Sequence, residues 1–167
     1  MPSPWRRVQL FLLILAIALA AGCKRNNTPV PSGDITESLG LPSLGPVAFD
    51  PTSLKGKPSL VMFVTPTCTH CLATIPRAAA AAQAKNANVV AVFVAGQKQN
   101  VEGVVSHAKF PGVALVPDKD GQKALIDKFN IRGVPYAVVL GPDGKAREAF
   151  RGEQEESTFA SALDNAR

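Results

Sequence analysis

A chain of 167 residues, 46% of them hydrophobic, has room for one modest core and little beyond it. Its formal charge is +5; setting aside Arg6 and Arg7, which fall in an N-terminal targeting segment, leaves 16 basic residues (18 less 2) against 13 acidic, or +3. So weak and scattered a balance argues against a nucleic-acid partner.

In chain order, Arg6 and Arg7 give a positive region, residues 10–21 an apolar one, and Ala20, Ala21 and Gly22 the small residues of a cleavage site. Residues 19–23 resemble a bacterial lipoprotein signal, in which Cys23 becomes the lipidated first residue of the mature chain, although Ala20 stands where Leu is commonest. An uncleaved signal anchor is the alternative. Either way the protein is expected outside the cytoplasm, lipid-anchored to a bacterial membrane if Cys23 is modified. Residues 1–22 are therefore expected as signal peptide and 23–46 as a flexible tether, with Pro29, Pro31, Pro42 and Pro46 among Gly33, Gly40 and Gly45. Lys24 and Arg25 would hold the tether near anionic headgroups. The domain is expected over residues 47–167.

Within it, residues 47–49 predict a short edge strand and 54–58 a turn. Residues 60–64 form a continuous apolar run, too short for a helix and rich in β-branched side chains, which predicts a strand buried on both faces. Thr65, Pro66 and Thr67 break the run, and from Cys68 the pattern is helical, Ala-rich over 78–84, bent at Pro76 and ending near Asn86. A second buried strand follows at 89–95, ended by Gly96, then a helix at 101–109, a short strand at 113–116, a turn at 118–121 and a helix at 122–129. After Gly133, Val134 and Pro135 come a strand at 136–140, a hairpin turn at 141–144, a return strand at 146–150 and a closing amphipathic helix at 155–165. The fold class is α/β, a mixed sheet with helices on both faces.

Cys68 and Cys71 sit three apart where a buried strand turns into a helix. Free backbone N–H groups and the positive end of the helix dipole favour an anion there, which makes Cys68 the expected reactive thiol. Residues three apart on a helix are neighbours, so the pair can close into a bridge, with enough strain to make it exchangeable rather than structural.

The strand before Cys68-Thr69-His70-Cys71, Pro76, the 118–121 turn, Gly133-Val134-Pro135 and the 141–144 hairpin together resemble the thioredoxin fold, of the membrane-anchored TlpA/ResA-like thiol-disulfide oxidoreductases. The likeness spans residues 47–163; residues 65–68 also resemble proteins of methylamine dehydrogenase assembly. The resemblance implies a Cys68–Cys71 redox disulfide, a cis Pro135 opposite the sulfurs, Val134 pairing with an extended substrate, Pro66 and Thr67 beside it, and His70 tuning the Cys68 thiolate. It also implies protein thiols and disulfides as partners, an upstream redox partner such as a membrane electron donor, a monomer, and no cofactor besides the cysteine pair.

Several positions depart from the family pattern. Thr67 replaces the usual Trp, Thr69 the proline common beside such a His, Met62 the buried acid of thioredoxins, and Thr74 the Glu of the anchored reductases, so no internal base is evident for Cys71. Three other readings stay open: copper or zinc delivery through Cys68, Cys71, His70 and His107; a peroxiredoxin-like peroxidase, for which Val61 replaces the proline required; and a non-enzymatic thioredoxin-like binding module. The leading expectation is an extracytoplasmic thiol-disulfide oxidoreductase.

Overall fold

The computed structural model describes residues 28–46 and 48–167, so the expected signal peptide, Cys23 and Val47 lie outside the described residues. Five strands, β1 (Ser59–Val64), β2 (Asn88–Phe93), β3 (Val113–Leu115), β4 (Tyr136–Leu140) and β5 (Ala146–Arg151), form one sheet in the order β3-β2-β1-β4-β5. β1 and β2 run parallel, as do β2 and β3, while β4 pairs antiparallel with both β1 and β5. This is the mixed sheet of the thioredoxin fold.

Strand alternation divides the apolar run of β1 between two cores. Leu60, Met62 and Val64 point to one face, covered by α1 (Thr69–Ala84), α2 (Lys98–His107) and α4 (Glu156–Asn165); Val61 and Phe63 point to the other, under α3 (Lys119–Lys128). Because β1 is central and both faces are covered, every residue in it is buried. The small Ala side chains of α1 at 78, 79, 81 and 82 let this helix lie close on the sheet and against α4. The helix runs on through Pro76.

The segment expected to be a tether packs on the domain from Asp34 onward. Ile35 and Leu39 are buried in the second core, and Leu39 is 0% exposed. Asp34 bridges to Lys145, and Ser43 to Leu115. The expected edge strand at 47–49 is likewise displaced: Ala48 and Phe49 lie outside regular structure. The free edge of β3 is met instead by Pro42 and Leu44, through Val116 N–H to Pro42 O at 2.8 Å and Leu44 N–H to Ala114 O at 3.0 Å.

The 118–121 turn is in fact a helix start. Asp118 Oδ1 accepts from Gly121 N–H at 2.8 Å, so Asp118 caps α3, which opens at Lys119 rather than Gln122. α2 likewise starts three residues before the expected Val101.

Candidate active site

Cys68 is the N-cap of α1, in extended backbone conformation (φ −88°, ψ 112°). Its Sγ accepts the N–H of Cys71 at 3.2 Å, and its carbonyl accepts that of Leu72 at 3.0 Å. A sulfur so placed receives a backbone donor and the helix dipole whenever it carries charge. The expected strand-to-helix placement is therefore observed.

Both cysteines are free thiols, differing sharply in access: Cys68 is half-buried, whereas Cys71 is 0% exposed. Burial, and then the hydrogen bond with the Cys68 sulfur, push the Cys71 thiol up to about 12, against a smaller downward pull from hydrogen bonds with Thr65. Met62 and Thr74 are both fully buried and supply no carboxylate. Thr74 Oγ1 donates instead to the His70 carbonyl at 2.8 Å. Thr65 is thus the polar partner of Cys71, a role its place in the sequence did not signal.

The Val134–Pro135 bond is cis, as the resemblance implied. Cys68 Sγ donates to the Val134 carbonyl at 3.8 Å, so the two segments, 66 residues apart in sequence, meet at the sulfur. Pro135 itself is buried beside β4.

Pro66 is buried and Thr67 exposed, and both line a groove of about 910 Å³ between α1 and α2, with Leu72, Ile75, Pro76 and His107. Leu72, one residue past Cys71, is 43% exposed. Pro66 is held from behind by Gly96, whose φ of +105° suits glycine and where a Cβ would stand 2.5 Å from Pro66 Cγ.

His70 lies at the exposed end of the motif, its side chain turned to the β5–α4 connection. Its hydrogen bond runs to Glu153, Nδ1 to Oε2 at 2.8 Å, rather than to Cys68, and its side chain is 72% exposed. Glu153 also receives Arg77 Nη1 at 2.7 Å, and Arg77 lies 3.3 Å from Glu155. The hydrogen bond with His70 first, and then the Arg77 guanidinium, hold the Glu153 carboxyl below the usual carboxylate range. Glu153 lies in the β5–α4 connection, 83 residues from His70, and no local pattern announces it. His107 stays apart on the groove rim, and among the described residues no three His, Cys, Asp or Glu gather as a group that could hold a metal ion.

A half-buried thiol capping a helix, a fully buried thiol one turn on and a cis-proline across from them, on this mixed sheet, define a dithiol protein of thioredoxin fold. The chain belongs to the thioredoxin-like domain family, whose description matches residues 46–167. Among solved structures it is similar to a secreted disulfide oxidoreductase of Mycobacterium tuberculosis homologous to E. coli DsbE, with 24% identity, a TM-score of 0.66, and coverage of 77% of this chain and 98% of that one. It is also similar to a putative thioredoxin from Neisseria meningitidis, with 25% identity, a TM-score of 0.63, and coverage of 83% and 87%. StoA from Bacillus subtilis shares the fold at 18% identity and a TM-score of 0.54, over 65% of this chain and 83% of that one. No curated relative matches the chain.

Proposed function

We propose that this protein is an extracytoplasmic thiol-disulfide oxidoreductase of the TlpA/ResA-like type, exchanging disulfides with protein substrates through Cys68-Thr69-His70-Cys71. The observation that carries the reading is the asymmetry of the two thiols, one half-exposed beside the Val134 carbonyl and the other sealed beneath it. The Cys68 thiolate attacks a substrate disulfide, one substrate sulfur joins Cys68, and the other leaves as a thiolate that takes up a proton. Cys71 then loses its proton and attacks Cys68 Sγ, which releases the second substrate thiol and closes the Cys68–Cys71 disulfide. The same steps reversed oxidise a substrate dithiol. Val134 offers backbone to an extended substrate strand, with Pro66 and Thr67 on the opposite side of the sulfur. Burial holds the Cys71 thiol above its ordinary value, so its deprotonation is the step that resolution has to overcome.

The same proposal has residues 1–22 removed as a signal peptide and Cys23 lipidated, so that a monomeric domain works at the membrane and receives or passes electrons through an upstream membrane partner. Its support is the sequence pattern together with structural likeness to a protein described as secreted. Expression of the full chain in a bacterial host, with and without Cys23→Ala, tests the anchor: the native chain should partition with membranes and the variant should be released.

The activity test is turnover of a protein disulfide by the reduced domain, followed by thiol release. Exchange that disappears in Cys68→Ser supports the reading. Absence of exchange, together with stoichiometric copper or zinc surviving dialysis, replaces it with metal delivery. The reduction potential assigns direction: a value near about −270 mV marks a reductant and one near about −120 mV an oxidant.

A further inference from the structure

The contact between His70 and Glu153 joins the active-site helix to the β5–α4 connection, and its chemistry is one-sided. An ionised carboxylate only accepts hydrogen bonds, and Arg77 together with His70 keeps Glu153 ionised. The proton shared at 2.8 Å therefore belongs to Nδ1 of the imidazole. A neutral ring held in this way carries its lone pair on Nε2, and the side chain, two residues from Cys68 in sequence, is 72% exposed. The charged groups facing this pair are Arg77 from α1 and Glu155 from the same connection as Glu153. Neither the buried acid of thioredoxins nor the Glu of the anchored reductases is present, since Met62 and Thr74 occupy those positions.

We propose that Glu153 is a positioning residue that fixes His70 as the Nδ1–H tautomer, leaving Nε2 to exchange the proton of the substrate thiol at Cys68. The inference rests on the oxidoreductase reading and adds the proton route it lacks. When Cys68 attacks a substrate disulfide, the departing substrate sulfur leaves with the S–S electron pair and takes the Nε2 proton from the imidazolium. In the reverse direction Nε2 receives the proton as the substrate thiol becomes the attacking thiolate.

Nitrogen-15 spectra of the imidazole in the reduced domain give the first test, above the pH at which the ring becomes neutral. Wild type should show the Nδ1–H tautomer of His70 as the major form, and Glu153→Leu should lose it while Glu153→Asp keeps it. A wild-type ring protonated on Nε2 overturns the proposal. Because this readout needs no turnover, it stands apart from any failure of the oxidoreductase reading. The second test is a double-mutant cycle on exchange with a peptide disulfide. Glu153→Leu should slow exchange on the order of tenfold, less than the hundredfold at which a whole acid–base group begins to count, and should change nothing further once His70→Asn is present. Equal slowing in both backgrounds assigns Glu153 a structural role and sinks the idea, as does a Glu153→Leu rate equal to wild type.

Discussion

At Cys71 the fold works against ionisation, and the consequence can be read as stability. An ordinary thiol titrates at 9.0, and burial with the Cys68 hydrogen bond pushes this one up to about 12. Between those values the unfolded chain gives up a proton that the native state retains. The contribution is complete below pH 9.0 and is lost as pH rises toward about 12. Denaturation of the reduced domain at pH 8 and pH 10 should show a fall in stability that is smaller in Cys71→Ala. Asp34 shows the opposite sign. Hydrogen bonds from the Thr36 side chain and backbone, then Lys55, lower it from 3.8 to about 2, so its contribution is complete above 3.8 and disappears as pH falls through about 2. Acid titration of Asp34→Asn should remove that limb. At this scale the placement of the candidate residues was legible: Cys68 and Cys71 stand out by their spacing at a strand-to-helix junction, and the cis Pro135 followed from the family resemblance. Glu153 and Thr65 were not, because their roles arise only when distant segments are brought to the helix.

Among the elements, the segment preceding the domain is the main revision. Its prolines and glycines read as a tether, yet Ile35 and Leu39 enter the core behind the sheet. Two apolar side chains four apart are too faint a pattern to outweigh that composition. Leu39→Ala should cost about 2–5 kcal/mol, measured by denaturant unfolding, whereas a true tether would show no change. The start of α3 was misplaced for a related reason: Asp, Lys, Asp and Gly suit a tight turn and a helix N-cap equally, and tertiary packing chose the cap. The loop that carries Pro66 depends on Gly96. Gly96→Ala combines an unfavourable φ with a clash on Pro66 Cγ and should cost about 1–3 kcal/mol while slowing exchange at Cys68, read from unfolding and from alkylation rate.

For the molecule as a whole, the central β1 strand and α1 set one thiol at the surface and bury its partner, while β4 brings the cis-proline across from them. Alternating strand and helix periods, ended by a hairpin and a last helix, were enough to read this architecture from the chain. How the early segment closes on it was set by packing that no local pattern reports. In the proposed reaction Cys68 is the entry point for electrons, and trapping tests that directly. The reduced Cys71→Ser domain, offered a peptide disulfide, should accumulate a mixed disulfide at Cys68 that mass spectrometry locates, while Cys68→Ser should accumulate none. Adducts forming at Cys71 in the Cys68→Ser domain, or at neither cysteine, would contradict the account.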